Sequence, residues 1–388
     1  ETVRACGQGR CHVASSICMI TGAKCATLLG STTHISMTIA PHESSCPDSE
    51  SMNSSSYDLN TIVDILSHTV VFKQESHPHY GLWPVAIKVT AAAAAGHGGA
   101  IELEHPSSHE AKVYMLLCPH PSIPDFVECV EENFDTTRFL SEGAHSGVQR
   151  IPFLIVQYVK AVALSRFMNS VDVLHWSVFV QVAWRIGNVL KHIHTKGVVY
   201  ADLKLPNILL GKDGRVWLVD YASAAIVGCA KPATGITQHI QPPEFFADGV
   251  ENVTQLAHPF MVDFWAFGAL LVELLTGRPY LGSFRTNSID MAQDCLDRHV
   301  KAAVQAALSR YSARSLRSGG PARGATVWES LEELVIQLLR HNPDERLGSS
   351  GGWDAVLQHR FFELTRDELK WPFPDNYVEE VEELTLGL

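Results

Sequence analysis

The sequence predicts an α+β fold with two lobes, the first rich in strands and the second rich in helices. Runs of β-branched residues bounded by turn residues dominate the first half, and apolar residues at helical spacing dominate after residue 260. Strands first and helices afterwards are typical of α+β proteins. The chain has 388 residues, of which 46% are hydrophobic and 19% charged. It can therefore bury a sizeable core, which excludes collagen-like and fully disordered proteins.

Two strands are predicted early in the first lobe, at 67–73 and 83–90, because both segments are rich in β-branched residues. The Ala- and Gly-rich stretch 91–100 is interpreted as a flexible connection. Apolar residues at helical spacing then predict a helix at 109–118, and a short apolar run predicts a buried strand at 154–158.

A long amphipathic helix is predicted at 172–196, with Asp172 as its N-cap and Gly197 as its stop. Residues 198–220 alternate short apolar runs with polar turns, which predicts three short strands. The segment Lys212–Asp213–Gly214 is typical of a hairpin turn between two of them. Four further helices are predicted, at 263–276, 297–309, 325–341 and 353–362.

The net charge of −12 excludes a protein that binds nucleic acid through bulk charge. This charge is unevenly distributed, because residues 301–324 hold five bases and no acid, whereas 363–388 hold eight acids and two bases. The basic run is interpreted either as a solvated segment or as a weak contact for anionic lipid or an acidic partner. No run of about 18 apolar residues occurs, so no transmembrane helix is predicted.

The chain has nine cysteines, five of which precede residue 57. This density favours an oxidising compartment, where disulfides persist, over the cytosol. The alternative is that the cysteines are small buried hydrophobic residues. Cys118 and Cys129 are the best candidates for a bridge in the first lobe. Residues 43–56 are polar and Ser-rich, which is typical of a linker.

The residues that carry chemistry lie in the string Asp202–Leu–Lys204–Leu–Pro–Asn207 and in Asp220, eighteen residues after Asp202. Carboxylate and amide oxygens are hard ligands of the kind that Mg²⁺ shares with phosphates. A second carboxylate can accept a hydroxyl proton, and a lysine can offset the charge of a phosphoryl group. Alternatively, these residues form Asx-turns with surface acids, and Lys88 is an ordinary solvated side chain on a strand.

In this order and at these spacings the motifs resemble those of the eukaryotic protein kinase family. Val85–Lys88 matches the strand motif whose lysine binds the ATP phosphates, and Glu110 matches the glutamate that pairs with this lysine. Asp202 matches the catalytic base. Asn207 and Asp220 match the two ligands of magnesium.

The same resemblance implies an adenine site and a substrate class. Val156 would be the gatekeeper, and the backbone of Gln157 to Val159 would form the hinge that binds adenine. Lys204, two residues after the base, matches the pattern of serine/threonine kinases and would assist transfer.

Three further residues match structural positions of the family. Asp263 begins the buried helix behind the catalytic loop, Glu244 ends the activation segment, and Arg346 is expected to pair with Glu244. The resemblance covers roughly residues 58–365. It divides the chain into a Cys- and Ser-rich extension and linker (1–56), an N-lobe with hinge (57–159), a C-lobe (160–365) and an acidic tail (366–388).

The sequence departs from the family pattern in its glycine loop and in its catalytic loop. No glycine occurs between residues 31 and 80, so the G-x-G-x-x-G loop that covers the phosphates is missing or rebuilt. A nucleotide must then bind without this cover, bind differently, or not bind. Tyr200 replaces a histidine, Ala201 replaces the arginine that grips an activation-loop phosphate, and Ala222 replaces the glycine after the metal-binding aspartate.

With these departures the chain is most similar to the coccidian secreted rhoptry-kinase-like kinases and pseudokinases that lack the glycine loop. This resemblance implies a divergent serine/threonine protein kinase that uses ATP and Mg²⁺ on protein substrates. Its location would be a parasite secretory organelle, the parasitophorous vacuole or the cyst wall. The alternative is a catalytically dead pseudokinase that acts there as a scaffold or regulator. Neither function involves nucleic acid.

Overall fold

The computed structural model describes two compact units, one that ends at Val162 and one that runs from Ala163 to Leu386. The described residues are 57, 59, 61–66, 69–77, 83–90, 105–135, 148–171, 174–229, 241–246, 250, 253–277, 293–318, 324–370, 373 and 375–386. Sheet in the first unit and helices in the second confirm the predicted α+β fold. Within the described ranges, no helix is both long and apolar enough to cross a membrane.

The first unit contains a five-stranded antiparallel sheet with the order β1-β2-β3-β5-β4. Its strands are β1 (Thr61–Leu66), β2 (Thr69–Gln74), β3 (Val85–Thr90), β4 (Phe126–Asp135) and β5 (Val148–Gln157). Helix α1 (Pro106–Leu117) corresponds to the helix predicted at 109–118 but begins about one turn before it. Its N-terminus is set by His105, which caps the helix by accepting the Ser107 N–H at 3.2 Å. The predictions of β2, β3 and part of β5 are confirmed, whereas β1 and β4 were not predicted.

The glycine loop was expected to be missing or rebuilt, and the two strands that would flank it, β1 and β2, are both present in the sheet. Leu66 at the end of β1 pairs directly with Thr69 at the start of β2, so only Ser67 and His68 join the two strands. Thr61 at the other end of β1 pairs with Lys73. The β1–β2 hairpin is therefore short, and its sequence contains no glycine.

Tyr57, His77 and Glu128 form a buried cluster in the first unit. Tyr57 packs on Phe153 with ring centroids 6.3 Å apart, and its hydroxyl donates to Glu128 Oε1. His77 Nε2 lies 2.9 Å from the same Glu128 oxygen. Because a buried carboxylate needs hydrogen-bond donors, this cluster attaches the chain before β1 and the chain after β2 to strand β4.

The second unit is mostly helical. Its helices differ from the predicted ones mainly at their ends, but the single helix predicted at 353–362 is wrong, because it is interrupted at 358–359. A short strand β6 (Ala161–Ala163) lies at the division between the units. The helices are α2 (Leu164–Ser170), α3 (Trp176–Thr195), α4 (Met261–Thr276), α5 (Gln293–Ser318), α6 (Ala325–Leu338), α7 (Gly352–Leu357), α8 (Arg360–Leu364) and α9 (Asp375–Leu386). The short strands are β7 (Val198–Val199), β8 (Ile208–Gly211), β9 (Val216–Leu218) and β10 (Ala225–Ile226).

Two boundary predictions in this unit are corrected. Asp172 was expected to cap α3, but it lies outside the described residues, and His175 caps this helix by accepting the Ser177 N–H at 3.3 Å. The helix predicted at 297–309 is longer, because α5 extends to Ser318 and includes most of the basic run 301–324. Arg310 on this helix donates to the carbonyl of Thr276 at 3.3 Å and to that of Leu275, so it caps the C-terminus of α4.

The acidic tail forms α9, which packs on the β8–β9 hairpin. The Tyr377 hydroxyl donates to the Gly211 carbonyl at 3.3 Å, and the rings of Phe373 and Tyr377 stack with centroids 4.3 Å apart. Gly214, in the predicted hairpin turn, has φ +75°, and a Cβ there would lie 2.2 Å from Phe373. The tail is therefore part of the second unit.

The predicted bridge between Cys118 and Cys129 is wrong, because both are free thiols. Cys118 Sγ donates to the Pro124 carbonyl at 3.3 Å, and Cys129 Sγ faces the Ser107 carbonyl at 3.9 Å. Burial raises the pKa of the Cys118 thiol to about 12 and that of Cys129 to about 11, so both behave as small buried hydrophobic residues. The first five cysteines lie outside the described residues.

Glu273 on α4 should make stability depend on pH. Glu273 is 8% exposed, and burial raises the pKa of its carboxyl from an ordinary 4.5 to about 7. The folded state then binds the proton more tightly than the unfolded state, so the free energy of unfolding falls as pH rises from 4.5 to 7. We expect Glu273→Gln to be more stable than wild type by about 2–3 kcal/mol at pH 8 and to differ little from it at pH 4.5.

Urea unfolding at several pH values measures this difference. The matched control is Glu329→Gln, since Glu329 is an exposed glutamate on α6. A Glu273→Gln difference that is the same at pH 4.5 and pH 8 would contradict the prediction.

Candidate active site

Lys88 and Glu110 form a buried ion pair in the first unit. Lys88 lies on β3 and Glu110 on α1, and Lys88 Nζ is 2.9 Å from Glu110 Oε2 and 3.1 Å from Oε1. The two residues are 5% and 1% exposed. Because breaking a buried ion pair from one side is strongly destabilising, each side chain holds the other in place.

The predicted gatekeeper and hinge lie at the end of β5. Val156 is fully buried and pairs with Ala86 on β3. The Gln157 N–H is committed to the Asp125 carbonyl at 2.8 Å. Among the described residues, the Val159 N–H has no backbone hydrogen bond, although the residue is buried. Because buried amides are normally paired, the Val159 N–H is the one of the two that could donate to a ligand such as a purine.

In the second unit, Asp202, Lys204 and Asn207 form one hydrogen-bonded group in the loop after β7. Lys204 Nζ lies 2.6 Å from Asp202 Oδ2. A 3₁₀ turn over Leu205–Asn207 brings Asn207 back to Asp202, where its Nδ2 donates to Oδ2 at 3.1 Å and to the Asp202 carbonyl at 3.0 Å. Two donors therefore orient the buried Asp202 carboxylate.

Asn207 and Asp220 offer oxygens suited to magnesium. The Asn207 Oδ1 atom is buried and has no hydrogen-bond partner in the described part of the chain. The Val219 N–H donates to the Asn207 carbonyl at 3.0 Å, which holds the residue before Asp220 against Asn207. Asp220 itself has φ +63°, an uncommon conformation for a residue other than glycine. The unpaired amide oxygen of Asn207 and the carboxylate of Asp220 are therefore held by connected backbone, and both are hard oxygen ligands of the kind that Mg²⁺ prefers.

Tyr200 supports the same loop through its phenol. Its hydroxyl donates to the Val219 carbonyl at 2.6 Å, and its ring meets Tyr221 edge-on at 5.4 Å. Burial, reinforced by the Asp202 carboxylate, raises the pKa of the Tyr200 phenol well above its ordinary value, so it remains a donor. The tyrosine at the position of the family histidine therefore connects the catalytic loop to the segment that carries Asp220.

The three predicted structural residues make buried or partly buried polar contacts in the second unit. Asp263 is fully buried at the start of α4 and accepts the N–H groups of Tyr200 at 2.7 Å and Ala201 at 2.8 Å. Arg346 pairs with Glu244 through two hydrogen bonds of 2.7 and 2.9 Å. The backbone contacts of Asp263 thus fix the residues directly before Asp202.

Sequence reasoning missed two residues behind this loop. His194 Nε2 lies 2.8 Å from Asp263 Oδ2, and Trp353 Nε1 lies 2.8 Å from His194 Nδ1. Because His194, Asp263 and Trp353 are far apart in the sequence, no local pattern could have predicted their contacts.

A family model described as the protein kinase domain matches residues 84–362. The match begins just before β3 and leaves out the hairpin of β1 and β2, where the sequence has no glycine. The matched range includes all the candidate site residues from Lys88 to Trp353.

Three curated relatives are similar over slightly less than half of the chain. Protein kinase 3 of Dictyostelium discoideum is 28% identical over 183 residues, which is 45% of this chain and 17% of that protein. Ribosomal protein S6 kinase alpha-6 of Danio rerio is 30% identical over 196 residues, which is 47% of this chain and 22% of that protein. Protein kinase C delta type of Mus musculus is 27% identical over 178 residues, which is 45% of this chain and 21% of that protein. The similar regions span about a fifth of the length of these relatives.

Proposed function

The chain belongs to the protein kinase domain family, and from this premise we propose that it is a serine/threonine protein kinase that transfers the γ-phosphate of ATP to protein substrates. The observation that carries the proposal is the group around Asp202. A buried, oriented carboxylate, a lysine 2.6 Å from it and an amide with an unpaired oxygen are together the parts that phosphoryl transfer needs.

In this mechanism Asp202 accepts the proton of the substrate hydroxyl as that oxygen attacks the γ-phosphate. Lys204 and the Asn207 amide group hold the carboxylate in place, and Lys204 also offsets negative charge on the phosphoryl oxygens. Lys88, fixed by Glu110, would bind the nucleotide phosphates, and Val159 would donate to adenine. Asn207 and Asp220 would hold Mg²⁺, which when bound neutralises charge on the phosphate oxygens.

A pseudokinase remains the second candidate, and the β1–β2 hairpin is the observation that favours it. Phosphate binding in kinases relies on a glycine-rich connection whose backbone N–H groups approach the phosphates closely. Here two residues, Ser67 and His68, take the place of that connection. Under this candidate the domain would act as a scaffold or regulator without phosphotransfer.

The subgroup and the location are also proposals. The missing glycine loop and the five cysteines before residue 57 support a relation to the secreted, rhoptry-kinase-like group of coccidian parasites. Secretion into a parasite organelle, vacuole or cyst wall follows from that relation. A weak contact of residues 301–324 with anionic lipid is part of the same proposal, but Arg310 is committed to the C-terminus of α4 and would not contribute to it.

Thermal shift with ATP and magnesium tests nucleotide binding. We expect millimolar Mg²⁺–ATP to raise the melting temperature of the wild type by about 2–4 °C, which corresponds to a ligand at roughly ten times its Kd. Lys88→Met should abolish the shift, because it removes the phosphate contact. Asp220→Ala should make the remaining shift independent of magnesium, because it removes a metal ligand.

The matched control for the first variant is Lys112→Met, since Lys112 is an exposed lysine on α1. It should retain the full shift. A wild type that shows neither a shift nor phosphate transfer to a generic protein acceptor would refute the kinase proposal and leave the pseudokinase as the function.

A further inference from the structure

A series of hydrogen bonds leads from Trp353 to the backbone of the catalytic loop. Trp353, at the start of α7, places Nε1 2.8 Å from Nδ1 of His194 on α3. His194 Nε2 lies 2.8 Å from Asp263 Oδ2 on α4. Asp263 in turn accepts the backbone N–H groups of Tyr200 and Ala201. All four steps lie within the second unit.

Trp353 fixes the direction of both hydrogen bonds that the His194 ring makes. The indole nitrogen is a donor only, so His194 Nδ1 must accept and cannot carry a proton. The single proton of the neutral imidazole then lies on Nε2 and is donated to Asp263. The contact with Trp353 therefore selects one tautomer of His194.

The indole is itself held rigidly. Its ring stacks on Phe264 with centroids 4.4 Å apart and an angle of 19° between the planes, and it meets Phe267 edge-on at 5.3 Å. Trp353 is only 3% exposed. A donor in such packing keeps one direction, because the ring cannot rotate without a clash with its neighbours.

The far end of this series supports a strained peptide. Ala201 has φ +64°, a left-handed conformation that costs an alanine free energy, and it directly precedes Asp202. Asp263 Oδ1 accepts the Ala201 N–H at 2.8 Å, while Oδ2 accepts both the Tyr200 N–H and the His194 proton. If His194 presented a lone pair to Oδ2, the carboxylate would turn away, and the strained peptide would lose its acceptor.

We propose that Trp353 is a positioning residue of the kinase reaction. Its indole N–H selects the His194 tautomer that donates to Asp263, and this keeps Asp263 on the Ala201 amide directly before the base Asp202. The kinetic consequence rests on the proposed kinase function. The structural consequence, a single His194 tautomer that stabilises the loop backbone, can be measured without catalytic activity.

The test is Trp353→Phe, which removes the indole N–H and keeps an aromatic ring in the stack. Trp328→Phe is the matched control, because Trp328 is also 3% exposed and its Nε1 has no hydrogen-bond partner among the described residues. Histidine ¹⁵N chemical shifts report the tautomer of His194, and hydrogen exchange reports the Ala201 amide. Steady-state kinetics reports kcat and the KM for ATP.

In the wild type we expect His194 to be the Nε2–H tautomer alone. Trp353→Phe should produce a mixture of His194 tautomers and make the Ala201 amide exchange about tenfold faster. It should also lower kcat about five- to tenfold with the KM for ATP unchanged, as expected for the loss of one neutral hydrogen bond. Trp328→Phe should change none of these. If the wild type has no phosphotransfer activity, the proposed function fails and the spectroscopic measurements alone decide this proposal. An Nδ1–H tautomer in the wild type, or a Trp353→Phe variant that behaves like Trp328→Phe, would overturn it.

Discussion

Replacing Asp202 with asparagine should lower the rate of phosphate transfer on the order of 10³-fold while it leaves folding and nucleotide binding intact. A general base contributes about 10²- to 10⁴-fold to a rate, and an amide cannot accept the substrate proton. The amide oxygen of an asparagine can still take the hydrogen bonds that Lys204 and Asn207 donate to Asp202 Oδ2. The initial rate of phosphate transfer to a protein acceptor, together with the thermal shift by Mg²⁺–ATP, measures both parts of this expectation.

Asp213→Asn is the matched control for that variant. Asp213 is an exposed aspartate on the β8–β9 turn, where it pairs with Arg215 at 2.6 Å. Its replacement should leave both the rate and the thermal shift unchanged. Full transfer activity in Asp202→Asn would contradict the assigned role of Asp202. If the protein is a pseudokinase instead, wild type and variant will both lack transfer, and the variant will retain its biological function.

The parts of the fold that the sequence predicted are those with a strong local pattern. Strand β3 and helix α1 follow from β-branched content and helical spacing, and both were placed correctly apart from their ends. Strand β4 was missed because glutamates interrupt its apolar residues. One of them, Glu128, is buried only because His77, 51 residues away, and Tyr57, 71 residues away, satisfy it. Such a long-range partner cannot be inferred from a local window.

The candidate site divides in the same way. Lys88, Asp202 and Asn207 were identified because their spacing along the chain is itself the signal. His194 and Trp353 are separated by 159 residues, and their hydrogen bond is specified only by the packing of α3, α4 and α7. Motif spacing therefore predicts which side chains act, whereas tertiary packing decides what holds them in place.

Arg346→Met should lower the free energy of unfolding by about 3–5 kcal/mol, the range for breaking a buried ion pair from one side. Arg346 is 1% exposed and donates to both oxygens of Glu244, to the Met261 carbonyl at 2.8 Å and to the Arg340 carbonyl at 3.0 Å. Methionine fills a similar volume but donates nothing. It would leave Glu244 without its cation and the carbonyls without their donor. Urea denaturation of the full chain measures the change.

Arg340→Met separates this effect from the general loss of an arginine. The Arg340 side chain is partly exposed and pairs with Asp297 at 3.3 Å, so its removal should change the free energy of unfolding by less than about 1 kcal/mol. The Arg340 carbonyl that Arg346 uses would remain in place. Glu244→Gln in the Arg346→Met background should restore part of the stability, because an uncharged amide needs no counter-ion. If Arg346→Met proved as mild as Arg340→Met, the pair with Glu244 would not connect the end of the activation segment to the helical core.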